Sequence, residues 1–329
     1  MEYREIGESG IVASSIALGT WAVGGGPWWG DSDDSESIRA IHAAIDSGVT
    51  MIDTAPAYEF GHSEEVVGRA VKGRRDKVIL STKCGLWWHD DRGSFKFEQM
   101  GKRVNVSLRP ETLSAEIDIS LKRLGTDYID LYMTHWQAVE PDKTPIEDTM
   151  AALLRMKDEG KIRAIGVSNA DVNHMKEYLD TGRIDSNQLK YSMLDRKVES
   201  EQVPFCIDKN ISIQAYSPLE QGLLTGKIGM DYELSETEFR NNIPWFRPEN
   251  RKKVLDMLSG WKTLADGYGC TLSQLVIAWT VRQPGITFVL CGARKTAHVL
   301  DNVKAADIIF RDSDLNRMRE DAEALGNPE

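Results

Sequence analysis

A short apolar run, a turn and a segment of helical periodicity recur eight times along an unbroken chain of 329 residues. That alternation predicts an α/β fold, a (β/α)8 TIM barrel with an N-terminal β-hairpin and extra C-terminal helices, because strands separated by helices return to the same sheet edge and run parallel. The helix faces support this. Ile38, Ile41 and Ile45, and then Leu113, Ile117, Leu121 and Leu124, form apolar stripes at steps of three or four that need a sheet to cover. No linker divides the chain, so residues 1–329 read as one domain, and 41% hydrophobic residues suffice for a large core.

Tyr3 to Ile6 and Ile11 to Ala13 flank Gly7-Glu8-Ser9-Gly10, which reads as a hairpin outside the repeat, suited to plug the barrel floor. The strands of the repeat are 15–18, 50–53, 78–82, 129–133, 164–167, 187–189, 212–216 and 287–290. Gly48 after Ser47 is a helix stop, and Thr144-Pro145-Ile146-Glu147 reads as a capping box with proline at the first helical position. After the seventh strand, 218–282 holds the Asn241-Asn242-Ile243-Pro244 turn and two helices, and a last amphipathic helix uses Leu315, Met318, Ala322 and Leu325. A doubly wound sheet is the rival architecture. Its dinucleotide fingerprint follows the first strand, whereas Gly24-Gly25-Gly26 leads into Pro27-Trp28-Trp29 without a third spaced glycine, so these glycines read as a flexible loop.

Lys plus Arg number 40 against 51 Asp plus Glu, a net charge of −11 with no basic cluster, which argues against a nucleic acid partner. No window reaches the roughly 18 apolar residues of a membrane span, and MEYREIGESG has no secretory pattern, so the expectation is a cytoplasmic protein with no membrane partner. Cys84, Cys206, Cys270 and Cys291 lie far apart and read as reduced thiols; no HExxH or clustered Cys/His set points to a metal.

A barrel of this kind works at the carboxyl ends of its strands. There the second strand finishes at Asp53 with Tyr58 just beyond, the third is followed by Lys83 and the fourth by His135. Singly, Asp53 caps a turn, Tyr58 packs on the rim, Lys83 is solvated and His135 sits in the core. Jointly they make chemical sense. Reduction of a carbonyl by hydride needs a proton donor at the oxygen, and a tyrosine with a lowered pKa serves. Lys83 lowers it, Asp53 keeps Lys83 charged, and His135 hydrogen-bonds the substrate oxygen.

Leu18-Gly19-Thr20-Trp21, Ile52-Asp53-Thr54-Ala55-Pro56-Ala57-Tyr58, Ser81-Thr82-Lys83 and Asp130-Leu131-Tyr132-Met133-Thr134-His135-Trp136 resemble, in order and spacing, the signatures of the aldo-keto reductases. The resemblance spans essentially the whole chain and is nearest to bacterial sugar-aldehyde, inositol and general-stress reductases. It implies a catalytic tetrad of Asp53, Tyr58, Lys83 and His135. It also implies cofactor contacts from Gly19, Thr20, Trp21 and Asp53, with Ser168, Asn169 and Gln188 on the nicotinamide carboxamide and Tyr216 beneath the ring. Gly222, Leu224, Gly226 and Lys227 then lie along the pyrophosphate, Gly292 and Arg294 at the adenosine phosphate, and Asp301 and Asn302 at the adenine, with Ser217, Leu219, Gln221 and His298 as further cofactor contacts. Arg294 suits a 2′-phosphate, so the implied cofactor is NADPH, with NADH as the alternative.

Gln137, Ala170 and His298 depart from the family pattern, which bears on substrate and cofactor preference and leaves the tetrad intact. Trp21, Tyr58, Trp88, His135 and Trp136 are the implied substrate contacts. With Trp28, Trp29, Trp87 and Trp245 nearby, a small sugar-like carbonyl substrate is expected, and an aromatic aldehyde also fits. Arg92, Lys96, Lys102 and Arg103, in the long loop after Lys83, either meet an anionic substituent or are simply solvated. A regulatory nucleotide-binding module resembling potassium-channel β subunits is the rival from another class, and a Schiff-base aldolase using Lys83 is a third reading. Oligomeric state and reaction direction are open.

Overall fold

The protein is described by a computed structural model that covers residues 1–235 and 238–328. Tyr3–Glu5 (β1) and Val12–Ser14 (β2) pair antiparallel as the expected hairpin. Gly7 needs its left-handed backbone, φ 55°, and a Cβ there would meet the Asp185 carbonyl at 2.5 Å. Arg4 donates from Nη1 to the carbonyls of Val281, Ile286 and Thr287, which ties the hairpin across the floor of the molecule.

The chain continues through Ile16–Gly19 (β3), Met51–Asp53 (β4) and Ile79–Cys84 (β5). Leu86–Trp87 (β6), Ser94–Gln99 (β7) and Lys102–Val106 (β8) form a separate antiparallel sheet. Then follow Ile129–Thr134 (β9), Ile162–Ser168 (β10), Ser186–Lys190 (β11), Ser212–Tyr216 (β12) and Ile286–Gly292 (β13). Among the described residues, β3, β4, β5 and β9 to β13 close an eight-stranded parallel barrel. Every strand end lies within two residues of its expected place.

Strand alternation sorts side chains between two cores. Ala17, Met51, Leu131, Met133, Ala164, Phe288 and Leu290 fill the barrel interior together with Ile6, Ile11 and Ala13 of the hairpin, which is therefore the floor plug. Outside, the expected helix stripes cover the strands: Ile41, Leu113, Ile117 and Leu124 are buried. The last helix, Asp312–Ala324, buries Met318 and Ala322, with Leu315 and Leu325 packed beside them.

Four local expectations fail. The 24–26 glycines are no flexible loop but join two short helices, Trp21–Gly24 and Gly26–Trp29. The long loop after Lys83 is the β6–β8 sheet, turned at Met100 and Gly101, both with positive φ, as a two-residue hairpin turn requires. Helix Ile146–Asp158 starts beyond Pro145, so Thr144 lies one residue too early to cap it and its buried hydroxyl is unpaired. The capping box is instead Thr271 with Gln274, on helix Leu272–Val281. Among its described residues the 218–282 stretch holds three α-helices rather than two, adding Pro248–Gly260 and Lys262–Gly267.

Behind β5, on its outward face, lie two carboxyls that the sequence did not advertise. Thr82 donates to Glu64, and the Gly85 amide donates to Glu116 Oε2 at 2.6 Å, while Glu116 Oε1 has no partner among the described residues. Burial raises the Glu116 pKa to about 8. The folded protein thus holds a proton on Glu116 that the unfolded chain, titrating near its ordinary 4.5, has lost. Stability from this site is full at acid pH and declines as pH rises towards 8. Glu116→Gln, which keeps the acceptor and cannot ionise, is expected to gain on the order of 2 kcal/mol near pH 8. In thermal denaturation that gain disappears below about pH 5; a gain independent of pH would contradict the assignment.

Candidate active site

Lys83 points into the barrel mouth from β5, as does Ser81 two residues earlier, whereas Thr82 faces out. Asp53 ends the adjacent strand β4, with its Cα opposite Ser81. Lys83 is fully buried, and its Nζ donates to Asp53 Oδ1 and Oδ2 at 3.0 and 2.8 Å, to the Thr54 carbonyl at 2.8 Å and to Tyr58 Oη at 3.2 Å. An ammonium has three hydrogens, and the carboxylate, the carbonyl and the phenol engage all of them. Lys83 therefore offers no lone pair for a Schiff base, which removes the aldolase chemistry.

Asp53 Oδ1 also accepts from Gln188 Nε2 at 2.9 Å and from Ser81 Oγ at 3.2 Å, so three side chains hold this buried carboxylate through four contacts. Burial works against the Lys83 charge, but the Asp53 carboxylate and the Tyr58 oxygen outweigh it and hold the lysine pKa above its ordinary value. After Tyr58 the chain turns sharply through Glu59, Phe60 and Gly61, at φ 52°, 52° and 98°, before helix His62–Val71. Two successive non-glycine residues in the left-handed region are strained, and the Lys83 ammonium lies 5.0 Å from the centroid of the Tyr58 ring.

The expectation that the Tyr58 pKa is lowered does not hold. Burial pushes it above its ordinary value, Lys83 pulls it down and Asp53 pushes it up again. The phenol is therefore protonated at neutral pH. Because its oxygen accepts from Lys83, its own hydrogen is free to point into the mouth. His135 presents its ring edge-on to Tyr58, with centroids 6.0 Å apart. Burial, followed by the charges of Lys83 and Lys96, holds His135 well below its usual range, so it is neutral and can donate one ring N–H.

A cavity of about 370 Å³ opens beside this group. Gly19, Trp21, Asp53, Tyr58, Ser217, Leu219, Gln221, Gly222, Lys227, Gly292, His298, Asp301 and Asn302 line it, and of the unexpected residues Trp29, Thr225 and Ser273 do too. Trp29 carried a signal, since it belongs to the tryptophan-rich mouth; Ser273 carried one in the capping box that opens its helix. Thr20 and Leu224 are buried behind the wall, and Gly226 ends the same turn. Ser168, Asn169, Gln188 and Tyr216 lie beside the cavity and bond one another: Tyr216 Oη donates to Asn169 Oδ1 at 2.9 Å, Asn169 Nδ2 to Ser168 Oγ at 3.1 Å, and Ser168 Oγ to the Gln188 carbonyl at 3.0 Å.

Arg294 departs from expectation: it does not line the cavity, and its Nη1 donates to the Asp31 carbonyl at 2.8 Å. Asp301 Oδ1 accepts from Gln274 Nε2 at 2.6 Å. Trp88 and Trp136 pack against the β6–β8 sheet, beside the cavity rather than in its lining. The departing residue Gln137 is a buried strut that donates to the Ser168 carbonyl and accepts from Tyr178 Oη.

The cavity fits a dinucleotide. The turn carrying Ser217, Glu220, Gln221 and Gly222 has positive φ at all four, which holds a left-handed bend along its rim. Gln221 Oε1 is buried without a partner, and a Cβ on Gly292 would meet only open space. Among the described residues no three His, Cys, Asp or Glu group closely enough to hold a metal, and no helix is long and apolar enough to cross a membrane.

A model of the Aldo/keto reductase family matches residues 15–323. The NADH-specific methylglyoxal reductase of Escherichia coli (strain K12) is 48% identical over 328 residues, 99% of each chain. The aldo-keto reductase YhdN of Bacillus subtilis (strain 168) is 42% identical over 299 residues, 90% of this chain and 86% of that one. The structure of the glycerol dehydrogenase AKR11B4 from Gluconobacter oxydans matches with a TM-score of 0.88 at 34% identity, over 99% of this chain and 96% of that one.

In protein labelled with ¹³C at the tyrosine ring carbons, the resonance absent from Tyr58→Phe is expected to titrate above the ordinary phenol value of about 10, and Lys83→Met to move it higher still. A midpoint near neutrality would overturn the balance of burial over charge.

Proposed function

Because this chain belongs to the aldo/keto reductase family, we propose that it reduces the carbonyl of a small aldehyde or ketone, with Tyr58 as the general acid and residues 1–329 acting as one barrel domain. The observation that carries this reading is the chain of contacts from Asp53 through Lys83 to Tyr58, with every hydrogen of the ammonium engaged. A reduced nicotinamide dinucleotide in the cavity supplies the hydride. As charge develops on the substrate oxygen, neutral His135 donates a hydrogen bond to it and Tyr58 gives it a proton. A raised phenol pKa suits this direction, because the acid stays loaded until a more basic alkoxide forms beside it. Lys83 then stabilises the phenolate left behind, and Asp53 keeps Lys83 from surrendering its charge.

Asn169, Ser168 and Gln188 would hold the carboxamide of the cofactor and Tyr216 would lie under its ring, with the bend 217–222 along the pyrophosphate. The cofactor is NADPH or NADH. Arg294 favours the 2′-phosphate; its bond to Asp31 and the similarity to an NADH-specific enzyme favour acceptance of NADH.

The substrate carries oxygen beside the carbonyl, the class that contains both sugar-derived aldehydes and methylglyoxal. Trp21 stands edge-on to Trp29 at 5.3 Å and 6.2 Å from Tyr58, and Phe239 closes the same aromatic group. The Trp29 indole N–H is buried at the cavity wall without an acceptor among the described residues. A buried indole N–H ordinarily has a partner; a ligand oxygen supplies it. Similarity to enzymes favours this reading over a purely regulatory module.

Turnover of methylglyoxal and glyceraldehyde, followed at 340 nm with each cofactor, tests the proposal. Tyr58→Phe is expected to lose roughly 10²- to 10⁴-fold in turnover with little change in cofactor affinity. Tight cofactor binding without turnover by the native protein would favour the regulatory module instead.

A further inference from the structure

We propose that the β7–β8 hairpin forms a subsite for an anionic group at the barrel mouth, where Lys96 selects carbonyl substrates that carry a carboxylate or phosphate on the end away from the carbonyl. This rests on the reductase reading above and adds the substrate's charge to it.

Lys96 is exposed, and its Nζ lies 3.6 Å from the centroid of the Trp136 ring. Trp136 directly follows His135, and the Lys96 charge is close enough to help keep that imidazole neutral. An ammonium seated on an indole face has a fixed position yet keeps hydrogens for a further acceptor. Lys102 sits similarly over Phe60, at 4.7 Å, and Arg103 over Phe95, at 4.8 Å.

None of these three cations is ion-paired among the described residues, although Glu98 stands opposite Arg103 in the hairpin register. Neighbouring cations do find carboxylates: Arg92 meets Asp90 at 2.6 Å and Arg109 meets Asp142 at 2.7 Å. In a chain of net charge −11, unpaired cations gathered on one hairpin make a local positive field against the general one.

That field serves the substrate rather than the dinucleotide. No residue of β7 or β8 lines the cavity that runs from Asp53 to Asn302. The hairpin lies instead on the His135 and Trp136 side of Tyr58, where it packs with Trp88, Trp136 and Phe60.

The test compares paired substrates that differ in charge, using the whole protein with cofactor. Glyceraldehyde 3-phosphate against glyceraldehyde probes a phosphate, and 4-oxobutanoate against butanal probes a carboxylate. The native enzyme is expected to favour the anionic member of at least one pair by about tenfold in kcat/KM, mostly through KM, and to lose that preference as salt rises. Lys96→Gln should bring the ratio of kcat/KM between the charged and the neutral member of each pair to about one, a ratio that cancels any change which loss of the Lys96 charge makes at His135. Equal treatment of charged and neutral members by the native enzyme, or a preference that survives in Lys96→Gln, overturns the subsite and leaves the reductase reading standing. No turnover of any carbonyl overturns that reading and the subsite with it.

Discussion

The contact between Asp53 and Lys83, 2.8 Å long and buried on both sides, is the interaction on which the rest of the site depends. Burying two charges is costly unless each is fully hydrogen-bonded. The barrel meets that condition. Adjacent parallel strands bring the two side chains together at its mouth, with Lys83 two residues beyond the partner of Asp53, Gln188 and Ser81 take the remaining acceptor capacity of the carboxylate, and the Thr54 carbonyl takes one ammonium hydrogen. A closed barrel filled from below by its own hairpin gives this group a dry and rigid setting.

The consequence for chemistry is a phenol governed by two opposed effects. Burial favours the neutral form of Tyr58, and the ammonium beside it favours the ionised one. Burial prevails while the group waits, which keeps a proton in place; the ammonium matters once the proton has left. This division suits a site that must protonate an oxygen only after hydride has reached the adjacent carbon. His135, held neutral by the same burial and by two nearby lysines, orients that oxygen without competing as an acid.

The barrel was legible because a parallel strand covered on both faces reads as a short apolar run between helical stripes, as Ile129 to Met133 does before Ile146 to Met156. The tetrad was legible because its members follow directly on those runs. The β7–β8 sheet was not. Its residues alternate, but Lys96, Glu98, Lys102 and Arg103 make it look solvated, and only its packing on aromatic rings reveals a second layer over the mouth. The direction of the Tyr58 shift was also hidden, since the composition of a motif shows its charges and not how deeply it is buried. Thr144 and Thr271 carry similar capping patterns, and a one-residue offset in the helix start separated the false one from the true one.

The most direct test of the central ion pair is a double-mutant cycle in steady-state reduction, with Asp53→Asn, Lys83→Met and both together, each first shown to fold by circular dichroism. If the carboxylate acts by keeping the ammonium in place, either change lowers kcat/KM by about 10²-fold or more, and the pair together does no worse than the poorer single variant. Losses that multiply would mean that Asp53 and Lys83 contribute separately, and would contradict the account.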